Sequence, residues 1–222
     1  MLKNKVILIT GATSGIGAAA ARHFAGEGAT VVLSGRRAKV GELLAAEIRA
    51  AGGSASFLRA DVSRESDVEA LVASVIHAYG RLDGAFNNAR VERHFRSLID
   101  SPAADFDTLV AVNFRGTWLA MRAEARAMMA TGGAIVNTSA SLATNGFLRG
   151  SIDSATKGGI DAMTRAAALE LADTHIRVNT IQRYGTPEEI AATAAWLCSD
   201  DAASITGQTV GVNRRSVELR AS

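Results

Sequence analysis

Residues 10–17 read Thr-Gly-Ala-Thr-Ser-Gly-Ile-Gly, between an apolar β-branched run ending at Thr10 and an alanine-rich stretch opening at Ile16. That spacing can bind a pyrophosphate. Gly11, Gly15 and Gly17 permit a tight turn and a close approach of backbone to an anion. Thr13, Ser14, Gly15 and Ile16 would then present amides at a helix N-terminus, where partial positive charge gathers. A glycine trio alone is weak evidence; one set between a strand and a helix, ahead of further alternations, is strong. The end of the second strand adds a preference. Gly35 stands where a site for a free ribose 2′-hydroxyl carries an acid, and Arg36 and Arg37 follow. A missing carboxylate and paired guanidiniums favour a 2′-phosphate, so NADP(H) is expected over NAD(H). A third feature is Asp153, four residues before Lys157. On one helix face this pair could serve as a general base beside an ammonium, for chemistry without redox.

These groups need a frame to position them. The runs KVILIT, TVVLSG, ASFLRA, LDGAFN, GAIVNT, IRVNTI and QTVGV lack clean polar alternation, as suits strands buried on both faces of a parallel sheet. Helical segments are expected at Ile16–Gly26, Ala38–Ala51, Ser66–Tyr79, Ala103–Ala130, Ser154–Ala172 and Pro187–Ser199. Right-handed crossovers then give an α/β fold of the doubly wound Rossmann type, with helices on both faces. There are no repeats or linkers, so 222 residues are read as one domain, 1–222.

Composition narrows the function classes. A net charge of +2 carries no dense basic stripe, so neither nucleic acid nor membrane is expected as a partner. Arg90, Arg93, His94 and Arg96 form a short basic loop, read as solvated. Cys198 is the only cysteine and falls in an apolar helical run, so a buried thiol and a reducing compartment are expected. The first strand begins at Lys5 with no signal-peptide pattern before it, and the location is read as cytoplasmic. No metal ligands are assigned.

TGATSGIG resembles the TGxxxGxG motif of the short-chain dehydrogenase/reductase family, and the resemblance runs along nearly the whole chain. Asp61-Val62 resembles the family's adenine contact, and Asn87-Asn88-Ala89 its NNAG stretch, with Asn88 and Ala89 at the cofactor. Asn113 resembles the helix asparagine of the catalytic tetrad; Lys157 resembles its lysine, which also holds the ribose. IRVN, TPEEIA and ITGQTV follow in family order. The resemblance implies a sheet of about seven parallel strands. It also implies a homo-dimer or homo-tetramer through the two long helices, with Met163 and Ala167 as candidate contacts.

The chain departs from the family at the proton donor. Asp153 occupies the place of the tyrosine and Ala140 that of the serine, with Ser139 and Ser141 beside it but aimed elsewhere. A carboxylic acid has an ordinary pKa near 3.9 and a neighbouring ammonium is expected to lower it, leaving Asp153 without a proton to give. Arg90 replaces the last residue of NNAG, Asn213-Arg214-Arg215 replaces a terminal Asp-Gly-Gly, and the family's substrate-covering segment is missing after about residue 182. Three readings follow. The chain is an NADP(H)-dependent oxidoreductase of carbonyl or alcohol substrates with an impaired or altered site, or a cofactor-binding regulator or subunit partner without turnover. The third is a non-redox enzyme using Asp153 and Lys157.

Overall fold

The computed structural model describes residues 1–92 and 95–212. Seven strands pair in the order β3-β2-β1-β4-β5-β6-β7, every pair parallel. They are β1 (Val6–Thr10), β2 (Thr30–Gly35), β3 (Ser54–Arg59), β4 (Gly84–Asn87), β5 (Gly133–Ser139), β6 (Ile176–Arg183) and β7 (Thr209–Val212). The strand runs mark all seven. Both faces of the central strands are buried, which is why those runs are continuously apolar. On β1, Ile7 and Ile9 pack into one core with α1 (Gly15–Gly26), α2 (Ala38–Ala50) and α8 (Pro187–Cys198), whereas Val6 and Leu8 pack into a second. That second core holds α3 (Glu65–Tyr79), α5 (Gly116–Met128) and α7 (Ser151–Glu170). The family-type α/β Rossmann architecture expected from the strand–helix series is the one observed.

Two differences matter for the site. The helix expected at 103–130 is α4 (Ala103–Leu109) and α5 joined by one π-helical turn, Val110–Arg115, which contains the buried Asn113. Such wide turns often mark functional positions. The helix expected from Ser154 begins at Ser151, so Asp153 lies inside its first turn. A short α6 (Leu142–Asn145) precedes it. Helix α8 starts as its sequence suggests: Pro187 occupies the first turn, Glu189 N donates to Thr186 Oγ1 at 3.2 Å, and Thr186 N donates to Glu189 Oε2 at 2.9 Å. Only Tyr184, Gly185 and Thr186 join β6 to this helix. No helix of the described residues is long and apolar enough to cross a membrane. Cys198 is free and fully buried, and burial pushes its thiol up to about 12.

Candidate active site

Because β1 lies between β2 and β4, the connections leaving β1 and β4 part toward opposite faces and open a crevice at the strand C-termini. Gly11 takes a φ of +65°, and a Cβ there would stand 2.6 Å from the Ala89 Cα. A Cβ on Gly17 would meet the Gly11 carbonyl oxygen at 2.2 Å. Both close approaches exclude any side chain. The strand ends are tied together: Asn88 Nδ2 donates to the Gly11 carbonyl at 3.2 Å, and Ala89 N to Thr10 Oγ1 at 3.3 Å. Gly15, with a φ of +53°, faces open space where a Cβ would point. The first-turn amides of α1 therefore meet a void that an anion can enter.

That void is a cavity of about 630 Å³. It is lined by Gly11, Thr13, Ser14, Gly15, Ile16, Arg36, Arg37, Asp61, Val62, Asn88 and Ala89, and also by Arg90 and Glu92. Gly17 packs behind the turn against Asn88. The two arginines after β2 do separate work. Arg37 Nη2 donates to Thr13 Oγ1 at 2.8 Å and to Ser14 Oγ at 2.7 Å, so it braces the phosphate turn. Arg36 pairs with Asp61 Oδ2 at 3.9 Å, but its side chain is 60% exposed, so a ligand can reach the guanidinium. Burial opposes the charge of Asp61, but the Ser63 hydroxyl and amide, with Arg36 and Arg64, hold its carboxyl below the usual range. Open first-turn amides, a glycine floor and an exposed arginine at the far end fit a dinucleotide.

Lys157, Asp153 and Ala140 do not line this cavity. Lys157 is buried on α7 and its Nζ donates to the Thr138 carbonyl at 2.7 Å. Burial, then the charges of Arg183 and Arg90, push its pKa down to about 7 against the pull of Asp153 and Asp161. Asp153 overturns an expectation. Its pKa is raised, not lowered, because burial outweighs the nearby Lys157, Arg90 and Arg183. Ala140 is buried at the end of β5. Ser139 does point elsewhere: its buried hydroxyl donates to the Lys157 carbonyl at 3.4 Å. Asn113 does not reach this pair by hydrogen bond. Its Oδ1 accepts from Val91 N at 2.8 Å and its Nδ2 donates to Val91 O at 3.0 Å, so it is a positioning residue for the segment carrying Arg90.

Arg90 itself is not solvated; its side chain is only 29% exposed and pairs with Glu92. The structure does not describe Arg93, His94 or Asn213-Arg214-Arg215. Sequence reading missed Arg183, although an arginine closing a parallel strand at its C-terminal end is a signal. It also missed Glu124. This fully buried carboxyl accepts from Asn87 Nδ2 at 2.8 Å, and burial pushes its pKa up to about 7.

Comparison with known proteins agrees with this geometry. The short chain dehydrogenase family matches residues 5–195, and a family described as enoyl-(acyl carrier protein) reductase matches residues 180–214. The chain is 34% identical to the uncharacterized oxidoreductase YxbG of Bacillus subtilis, covering 94% of this chain and 89% of that one. It is 35% identical to an A-factor type gamma-butyrolactone 1′-reductase of Streptomyces virginiae, covering 96% and 95%. The YxbG alignment spans 244 positions, whereas 94% of 222 residues is about 209. A solved short chain dehydrogenase from Mycobacterium smegmatis superposes with a TM-score of 0.92 at 31% identity, covering 96% of this chain and 93% of that one. The fold, the crevice with its glycine turn and the family match over residues 5–195 place this chain in the short-chain dehydrogenase/reductase family.

Proposed function

We propose that the protein binds NADP(H) in the β1/β4 crevice and is an oxidoreductase of carbonyl or alcohol substrates whose catalytic centre is impaired. The observation that carries this reading is the open crevice with its glycine turn; Asp153 and Ala140 are read as standing where the resemblance places tyrosine and serine. A nicotinamide dinucleotide, when bound, supplies or accepts the hydride. The chain's own task is to hold the substrate oxygen and deliver a proton to it. Ala140 offers no hydroxyl for that oxygen. The Asp153 carboxyl is shorter than a tyrosine, and three cations favour its ionised form even as burial opposes it. The three-residue β6–α8 connection and the longer alignment with YxbG support a missing substrate-covering segment after about residue 182. At the limit of no turnover, the same cradle makes the protein a cofactor-binding regulator or subunit partner. Cofactor titration followed by a ketone screen for NADPH consumption separates these outcomes.

Arg36→Ala tests the cofactor preference. Losing a charge-assisted contact of about 1.5–3 kcal/mol should raise the NADPH Kd by about 10- to 150-fold and leave NADH almost unchanged. Equal losses for both cofactors would show that Arg36 does not read the 2′-phosphate.

We further propose a single cytoplasmic domain over 1–222 that forms a homo-dimer or homo-tetramer through α5 and α7. The candidate contacts need correction. Met163 and Ala167 are partly buried against the protein's own core, so a charge there would disturb folding. Leu169, 81% exposed on α7, is the cleaner probe. Leu169→Glu should shift sedimentation toward monomer with secondary structure unchanged. A wild-type chain that sediments as a monomer at micromolar concentration removes the idea.

A further inference from the structure

We infer that Arg90 and Arg183 form a carboxylate-binding subsite, so that the substrates of this centre are short oxo or hydroxy acids. This rests on the oxidoreductase reading above and names its substrate class. Arg90 lies three residues beyond β4 and Arg183 is the last residue of β6, so the sheet brings them to one end from separate strands. Both side chains are largely covered, 29% and 21% exposed. Both turn to a single oxygen, Glu92 Oε1: Arg90 Nη1 pairs with it directly and Arg183 Nη2 stands 4.0 Å away. Glu92 is itself 68% exposed, on the segment after β4. An exposed carboxylate bridging two covered guanidiniums marks where a ligand's carboxylate would sit, and it is cheaply displaced.

A second observation points the same way. Arg183 Nε is buried and has no hydrogen-bond partner among the described residues. Glu92 therefore leaves part of the donor set unused, and a small planar anion can engage a guanidinium through two parallel bonds. The other charged groups felt here are Asp153 and Lys157 on α7, with Asp161 one helix turn beyond Lys157. Burial and the charge of Arg183 push Arg90 down to about 10, as expected of positive charge not fully compensated. Asp153 senses both arginines, so a carboxylate bound between them would hold its own oxo or hydroxy carbon close to the Asp153–Lys157 face.

Acetoacetate and its uncharged methyl ester serve as the probes, titrated calorimetrically at constant ionic strength onto cofactor-free and NADPH-loaded protein. The acid should bind at least about 10-fold more tightly than the ester, and Arg183→Met should abolish the difference. Glu92→Gln should tighten the acid about 3- to 10-fold, by removing an internal competitor, and leave the ester unchanged. A purely structural Glu92 would give the opposite or no change. Because Glu92 is exposed, this variant keeps the test informative if Arg183→Met fails to fold. Equal affinities for acid and ester, no binding of the acid, or unchanged or weaker acid binding by Glu92→Gln each overturn the subsite. Failure of NADPH to bind overturns the cofactor reading instead, since the cofactor-free titration still reports on the arginines.

Discussion

Ala140→Ser combined with Asp153→Tyr should reduce a small reactive ketone with NADPH at least about 10²-fold faster than the parent chain. On the proposed reading, in which residue 153 holds the tyrosine's place, the helix spacing for a tyrosine–lysine pair survives. Residue 153 lies in the first turn of α7 and Lys157 one turn beyond, with its Nζ anchored on the Thr138 carbonyl. A proton donor is worth roughly 10²–10⁴ in rate and an oxygen-holding hydroxyl roughly 10²–10³, but the two act as a unit, so each single change should recover far less than the double. Recovery stays partial because Arg90 and Arg183 still crowd the same end of the crevice. The parent should show little turnover with these ketones between pH 6 and 8. Robust parent activity that vanishes in Asp153→Asn would make Asp153 a working acid, and the burial that raises its pKa gives that outcome a physical route.

The second large effect concerns stability. Glu124 is fully buried; its Oε2 accepts from Asn87, while its Oε1 and the Asn87 Oδ1 have no hydrogen-bond partner among the described residues. Burial raises the folded-state pKa from 4.5 to about 7. An acid whose folded pKa is raised contributes stability that is complete below its unfolded pKa and lost as pH rises through the folded value. The parent should therefore lose stability between about pH 4.5 and 7, by about 3 kcal/mol in all at 1.36 kcal/mol per unit. Glu124→Gln keeps the shape and the acceptor but has no proton to lose. In denaturant titrations it should match the parent near pH 4.5 and exceed it by about 3 kcal/mol at pH 8. A gap that does not change with pH would show that Glu124 does not titrate in this window.

The strand series and the glycine turn were legible because periodicity and backbone sterics act locally. TGATSGIG predicted a close backbone approach, and Gly11 and Gly17 have no room for a Cβ. Matters of long-range packing were not legible. Whether Asp153 is raised or lowered depends on burial set by residues far away in sequence, and a local argument from Lys157 gave the wrong sign. Arg36 and Arg37 look equivalent as neighbours, yet one faces solvent and the other the hydroxyls of Thr13 and Ser14. Arg90 read as part of a wet basic loop, because Arg183, which shares Glu92 with it, comes near only when β4 and β6 join one sheet. Glu124 gave no signal beyond being one charge between Arg122 and Arg126 on its helix.

The wide turn at Val110–Arg115 gives the long helix one extra residue, and at 3.6 residues per turn that sets α4 and α5 about 100° out of phase. A single-residue deletion is ordinarily among the worst changes to a helix, since it rotates everything beyond it. At this turn the arithmetic reverses. Removing one residue would restore an unbroken α-helix and could leave the core-facing side of α5 seated, with the rotation falling on the seven residues of α4. What would go is the grip of Asn113 on Val91, and with it the placement of Arg90. One codon at this point separates the inheritance of the scaffold from the inheritance of the site.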